Sequence, residues 1–146
     1  LGITTNAVFG NQIAKSYRSF TDQPKENYTT DILGRWHGEG TSNRLPRVAS
    51  GTNVNWLYIS DIFIEDGDYF RIQNVTLGYD FKKLFPRMPL GQVRLYVTAQ
   101  NLATFTKYSG MDPEIGYGAD KSWVSGIDVG FYPSPRTYMI GVNLKF

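Results

Sequence analysis

The last eleven residues show the clearest alternation of apolar and polar positions in the chain. From residue 136 to residue 146, apolar side chains occupy every second position and mostly polar side chains lie between them. A period of two places these sets on opposite faces of a β-strand. The segment also has the roughly 9 to 11 residues that a tilted strand needs to cross a bilayer. The apolar set is Tyr138, Ile140, Val142, Leu144 and Phe146.

Three other segments alternate with the same period and predict three more strands. They cover residues 1–13, 69–81 and 92–102, and the first is the least regular. In segment 69–81 one face carries Val75, Leu77, Tyr79 and Phe81, and in segment 92–102 one face carries Val93, Leu95, Val97 and Ala99. The opposite face of segment 92–102 carries Arg94, Tyr96, Thr98 and Gln100.

The connections between these strands differ greatly in length. Segment 82–91 contains Pro86, Pro89 and Gly91 and predicts a turn, because proline cannot donate to a strand ladder. Segments 14–68 and 103–135 are long, polar and rich in glycine, which is unusual inside a compact soluble domain. Outer-membrane barrels combine short periplasmic turns with long outer loops. We therefore expect 82–91 on the periplasmic side and both long segments outside.

One short helix is predicted within the first long segment. Thr29 and Thr30 are suitable residues to cap a helix that uses Ile32, Leu33 and Trp36 on one side.

Composition narrows the class of protein without contradicting this pattern. The 146 residues have a net charge of +2 and no dense run of Lys and Arg, so nucleic-acid binding is not expected. Mean hydropathy is −0.32, and no apolar stretch approaches the roughly 18 residues of a transmembrane helix. Alternating barrel strands average to such a value and are not excluded. The absence of Cys rules out disulfides and thiolate metal sites.

No group of residues in the sequence predicts catalysis, a metal or a cofactor. His37 is the single histidine, and no Gly-x-Ser-x-Gly elbow, Walker motif or dinucleotide motif is present. Acidic residues cluster without the spacing of a calcium loop, so solvated loop charge is the favoured interpretation and calcium binding stays open. We therefore expect that the protein is not an enzyme. The two acidic clusters are Asp61, Glu65, Asp66 and Asp68, and Asp112, Glu114, Asp120 and Asp128.

Aromatic residues of the long segments have two interpretations. Flat rings there are suited to stack on sugars or to line a peptide cavity, and they are equally suited to pack the loops together. Tyr138 and Phe146 lie at opposite ends of one strand face and fit the two aromatic girdles of a barrel. The candidate contacts to a substrate or a lid are Trp56, Tyr117, Trp123 and Tyr132.

Four ordered motifs resemble the carboxyl-terminal end of SusC-like (SusC/RagA) TonB-dependent outer-membrane transporters. They are the runs 64–79 (IEDGDYFRIQNVTLGY), 93–102 (VRLYVTAQNL), 106–114 (TKYSGMDPE) and 132–146 (YPSPRTYMIGVNLKF). Residues 27–36 and 44–47 also fit the family, so the resemblance covers nearly the whole chain.

The resemblance implies an antiparallel transmembrane barrel of roughly 22 strands, of which this chain holds the last four. It implies import of oligosaccharides or oligopeptides, powered by the TonB complex, with a SusD-like surface lipoprotein as lid. The apolar face of the strands would then contact outer-membrane lipid. The polar face, with Arg94, Tyr96, Thr98 and Gln100, would line the lumen. The strand that ends at Phe146 would be the signal for the barrel assembly machinery.

The family's plug domain and TonB box have no counterpart in this sequence. Four strands cannot close a barrel whose edges must be paired in lipid, so we expect the chain to be part of a longer protein. A soluble all-β carbohydrate-binding module is the alternative, with the loop tryptophans as a stacking platform. A secreted hydrolase that uses Asp112 or Glu114 is a third and weaker hypothesis. The motifs do not identify the substrate or the oligomeric state.

Overall fold

The computed structural model describes residues 1–21, 27–48, 60–87, 89–115 and 125–146. Its strands are β1 (Gly2–Val8), β2 (Gln12–Lys15), β3 (Ile64–Asp66), β4 (Tyr69–Asp80), β5 (Gln92–Thr106), β6 (Ile127–Asp128) and β7 (Thr137–Lys145). One short α-helix, α1, spans Ser16–Thr21, and three 3₁₀ turns span Thr30–Gly34, Asp61–Phe63 and Phe81–Lys83. None of the helices described has the length and apolar character required to cross a membrane.

The chain divides into two compact units. The first, called the sheet unit, contains Leu1–Phe9, Asp68–Thr106 and Pro133–Phe146. Its four strands form one antiparallel sheet in the order β1-β4-β5-β7. The second, called the loop unit, contains Gly10–Gly67 and Lys107–Tyr132. Its small sheet has the order β3-β2-β6, in which β2 and β6 run parallel.

One face of the sheet unit carries apolar side chains on neighbouring strands. In register, Leu77 of β4 lies opposite Val97 of β5, and Val97 lies opposite Ile140 of β7. These side chains are exposed: Ile140 keeps 77% of its surface, Leu77 63% and Val142 56%. Within the described part of the chain, this apolar face therefore lacks a covering layer.

A β-bulge at Gln73 keeps the apolar face continuous along β4. On β1, Ile3, Thr5 and Ala7 share one face, and they lie opposite Val75, Ile72 and Phe70 of β4. A bulge places two residues of one strand against one residue of its neighbour. The extra residue on β4 therefore changes which positions, even-numbered or odd-numbered, face the apolar side. Even-numbered positions before the bulge thus join odd-numbered positions after it. The Phe70 and Phe105 rings meet there, with centroids 6.2 Å apart.

The opposite face of the sheet unit is polar and better packed. The hydroxyls of Thr76 and Thr98 lie 3.0 Å apart, and Thr98 is buried. Tyr96 lies over Gly141 of β7, where an added Cβ would collide with its ring. Glycine at this position therefore provides the space for the tyrosine.

A buried arginine extends this polar face. Arg71 is only 4% exposed, and its Nε donates to the Thr104 hydroxyl at 3.0 Å. Its guanidinium also lies 5.5 Å from the centre of the Tyr69 ring, and Asn6 donates to the Tyr69 hydroxyl at 3.2 Å. The face consequently combines hydrogen bonds with a cation–π contact.

Segment 1–13 differs from the single strand predicted for it. β1 ends at Val8, and β2 begins at Gln12 in a different sheet. Gly10 between them has a φ of 76°, a conformation that glycine adopts at little steric cost. The weak alternation of this segment thus reflects two short strands rather than one.

Three other strands also end at residues that differ from the predicted ones. Phe81 lies in a 3₁₀ turn instead of a strand, and the Asp80 side chain accepts the amide of Lys82 at 3.0 Å at the start of that turn. β5 continues to Thr106, four residues beyond the predicted end. β7 ends at Lys145, so Phe146 follows the strand.

The predicted helix near residue 30 is only a 3₁₀ turn. It ends at Gly34, before Trp36, and its side chains are not buried. The Thr29 side chain makes no capping hydrogen bond and instead accepts from Arg18 Nη2 at 2.7 Å. Five residues are too few for an apolar helical face to form, which explains the difference.

Candidate functional site

The loop unit contains a charged cluster that joins segments far apart in sequence. Lys15 lies on β2, Glu65 on β3, and Ser109 follows β5. Lys15 Nζ donates to Glu65 Oε1 at 3.2 Å and to Ser109 Oγ at 2.6 Å. The Ser109 hydroxyl and amide donate to the two Glu65 oxygens, both at 2.9 Å. The three side chains thus form a closed hydrogen-bonded group.

The electrostatic balance of this group favours an ionised Glu65. Partial burial by itself would raise the pKa of the Glu65 carboxyl, but the hydrogen bonds from Ser109 and Lys15 together outweigh it. The pKa is therefore held below its ordinary value of 4.5. The carboxylate is fully engaged in holding the loop unit together.

A buried tyrosine and aspartate form a second polar contact in the loop unit. The Tyr108 hydroxyl donates to Asp128 Oδ2 at 2.6 Å, and Asp128 is only 2% exposed. The other Asp128 oxygen accepts the amides of Gly130 at 2.8 Å and Phe131 at 3.3 Å. Burial and this bond to Asp128 raise the pKa of Tyr108, so the phenol stays protonated and remains a donor.

Arg18 of α1 ties the 3₁₀ turn at Thr30–Gly34 to the loop unit. Its Nη1 donates to Asp31 Oδ2 at 2.7 Å, and its Nη2 donates to the Thr29 hydroxyl at the same distance. Arg18 is 9% exposed, whereas Asp31 and Thr29 are exposed, so a nearly buried guanidinium fork holds two partners at the surface.

Among the open cavities lined by described residues of the loop unit, two share three lining residues. One has a volume of about 560 Å³ and includes the ion pairs of Arg18 and Glu65. The other has a volume of about 530 Å³, and Trp36 is among its lining residues. Both are of the size that small ligands occupy. The shared residues are Arg44, Leu45 and Ile62.

The predicted substrate or lid contacts are only partly described. Trp56, Tyr117 and Trp123 lie outside the described residues. Tyr132, at the end of the loop unit, is 87% exposed and lines neither cavity. The structure thus does not bring Tyr132 to either of them.

The predicted strand residues lie on two faces of the sheet unit. Arg94, Tyr96, Thr98 and Gln100 share the polar face of β5 and pair with Asn143, Gly141, Met139 and Thr137 of β7. Tyr138, Ile140, Val142 and Leu144 share the apolar face of β7, and Phe146 follows the strand with 93% of its surface exposed.

Solvated loop charge is the wrong interpretation for two of the acidic residues. Asp128 is buried against Tyr108, and Glu65 is half-buried in an ion pair. Acidic loop residues become buried when the loops have a core of their own. His37 is exposed and its Nδ1 lies 3.1 Å from the Arg35 carbonyl. No group of metal-ligating side chains occurs among the residues that the structure describes.

Lys15, Arg18 and Arg71 were not identified as important from the sequence. Lys15 follows the fully buried Ile13 with a spacing of two, so the strand period was a usable signal. Arg18 and Arg71 are long side chains whose partners lie 11 to 33 residues away. No local pattern reveals such partners.

No family model matches the chain, but individual proteins do. TonB-dependent receptor P3 of Formosa agariphila is 39% identical to it over 125 residues, which are 82% of this chain and 12% of the receptor. TonB-dependent receptor SusC of Bacteroides thetaiotaomicron is 38% identical over 101 residues, which are 68% of this chain and 9% of SusC. The chain thus spans a small part of the length of these relatives.

Solved structures resemble the chain over nearly its full length. The RagAB peptide importer in its open-open state matches 99% of this chain and 15% of its own, with a TM-score of 0.74 at 23% identity. Likeness at this identity shows the fold alone. The prediction of an all-β, antiparallel barrel segment is confirmed, and the resemblance to SusC-like receptors is confirmed by the curated relatives.

The Tyr108 to Asp128 contact makes a testable prediction about the loop unit. Tyr108→Phe removes one donor from a buried carboxylate, which costs about 1–3 kcal/mol. We expect faster amide hydrogen exchange at Gly130 and Phe131, which donate to the same carboxylate. Tyr132→Phe, at an exposed position, is the matched control and should leave exchange unchanged. Unchanged exchange in Tyr108→Phe would contradict the structural role of the contact.

Proposed function

Because the chain belongs to the SusC-like family of TonB-dependent receptors, we propose that it forms four barrel strands and the outer loops of an importer. Proteins of this family are outer-membrane β-barrels of Gram-negative bacteria, and this is the location of the chain. The transported substrates are oligosaccharides or oligopeptides, and uptake depends on the TonB complex. A SusD-like surface lipoprotein covers the outer side of the barrel.

The exposed apolar face of the sheet unit is the observation that carries this proposal. A sheet in water must cover such a face with a second layer. In a bilayer the lipid chains meet this need, and the backbone groups stay paired within the barrel. The uncovered Leu77, Ile140 and Val142 therefore favour a membrane strand over the soluble carbohydrate-binding module.

The faces and ends of the sheet follow from this placement. The apolar set from Tyr138 to Phe146 faces lipid and contributes to recognition by the barrel assembly machinery. Arg94, Tyr96, Thr98 and Gln100 face the lumen. Segment 82–91 is the periplasmic turn, and the loop unit lies on the outer side. The polar core around Lys15 and Tyr108 gives the loops a fixed shape for contact with the lid or with substrate.

Uptake by whole cells tests the proposed transport. Cells that carry the full-length receptor are supplied with labelled oligosaccharides and oligopeptides too large for porins. We expect accumulation of one class, and its loss when either the receptor or TonB is deleted. A labelled monosaccharide that passes through porins serves as control and should enter all strains equally. Oligomer uptake that survives both deletions would contradict the proposal.

A pair of substitutions on β7 tests the lipid-facing assignment. Val142→Asp places a charge on the apolar face at a cost of up to about 2 kcal/mol in the bilayer. Asn143→Asp introduces the same side chain at the following position, which lies on the polar face of the same strand. We expect less folded receptor in outer-membrane fractions for Val142→Asp alone. Equal amounts of both variants would contradict the assignment.

A further inference from the structure

The cavity of about 530 Å³ in the loop unit is unusual in its charge. Arg44 and Arg47 both line it, and none of the described residues around it is an aspartate or glutamate. The neighbouring cavity also contains Arg44, together with the carboxylates Asp31, Glu65 and Asp66; Asp31 is engaged by Arg18 and Glu65 by Lys15. The cavity lined by Trp36, Arg44 and Arg47 is called the arginine cavity below.

The guanidinium of Arg44 is not paired with any described side chain. Its backbone amide donates to Ser42 Oγ at 3.2 Å, but no described side chain forms a hydrogen bond or an ion pair with its guanidinium. A guanidinium presents a planar fork of donors that matches a carboxylate in a bidentate way. Because no described acid is paired with Arg44, its guanidinium is open to an anion in the arginine cavity.

The loop that carries Arg44 is held in a fixed shape. Trp36 N donates to the Leu45 carbonyl at 3.0 Å, and the Ser42 hydroxyl accepts the amides of Arg44 and Leu45. These bonds hold the backbone at Trp36 beside the backbone at Leu45, which follows Arg44. Binding then requires little ordering of the backbone, which preserves affinity.

The remaining lining indicates the class of ligand. Trp36 is 38% exposed and offers a flat apolar surface with a polar edge. Ser42, Asn43 and Ser60 add hydroxyl and amide groups. A sugar ring has one apolar face and many hydroxyls, so it matches these groups together. An acidic peptide side chain supplies the carboxylate but no flat face for the indole.

We propose that the arginine cavity binds a uronic-acid unit of an acidic oligosaccharide. Arg44 binds the carboxylate, Arg47 adds a second positive charge to the cavity, and Trp36 stacks on the sugar ring. This inference rests on the proposed function and narrows its substrate class to acidic glycans.

Calorimetric titration of the purified full-length receptor tests the site. The probes are galacturonic acid trimer, a neutral galactose trimer of the same linkage, and a glutamate tripeptide. The double variant Arg44→Gln and Arg47→Gln should weaken binding of the galacturonic acid trimer about tenfold or more, because it removes charge-assisted hydrogen bonds. We also expect the wild-type receptor to bind the neutral trimer more weakly.

A second double variant controls for net charge. Lys83→Gln and Arg87→Gln remove two exposed positive charges from the segment between β4 and β5. We expect this variant to bind the galacturonic acid trimer as the wild type does. An equal loss in both double variants would overturn the site, and so would glutamate tripeptide binding that depends on the arginines in place of trimer binding.

The binding and uptake experiments together distinguish an error in the ligand assigned to the cavity from an error in the proposed transport. If cells import an oligomer in a TonB-dependent way but the receptor does not bind the galacturonic acid trimer, the arginine cavity is wrongly assigned and import stands. If no oligomer enters in the uptake experiment, the proposed function itself is wrong.

Discussion

The alternation of the strands imposes the constraint on which the sheet unit depends. With a side-chain period of two, a slip of one residue in register would exchange the apolar and polar faces. The pairs of Leu77 with Val97 and of Val97 with Ile140 keep one face apolar across three strands. On the other face, the Thr76 and Thr98 hydroxyls and the space above Gly141 favour the same register. Both faces thus select one arrangement.

The loop unit is stabilised by different interactions. Few of the apolar side chains described in this unit are buried, Ile13 and Phe63 among them, and polar contacts cross between its segments. Lys15, Glu65 and Ser109 link β2 and β3 to the segment after β5. A buried hydrogen-bonded group of this kind specifies one conformation, because an unpaired member would be costly. The described part of the loop unit accordingly presents a defined surface rather than a variable one.

Much of the sheet was predictable from the sequence, and little of the loop unit was. The regular alternation around Val97 and Val142 indicated strands directly, because each residue contributes the same local signal. The parity switch at Gln73 was not predictable, since a bulge changes the register without a distinctive residue. Partners such as Tyr108 and Asp128 lie 20 residues apart and meet only through the fold. The arginine cavity likewise depends on the bridge between Arg35 and Leu45.

We propose that β7 crosses the membrane with one face toward lipid. Single cysteines at positions 139, 140, 142 and 143, each labelled with bimane in the full-length receptor, measure this in vesicles that contain brominated lipid. We expect quenching that differs between the two faces of the strand, strong at Ile140 and Val142 and weak at Met139 and Asn143. Equal quenching at all four positions, or stronger quenching on the polar face, would contradict a lipid-facing apolar face of β7.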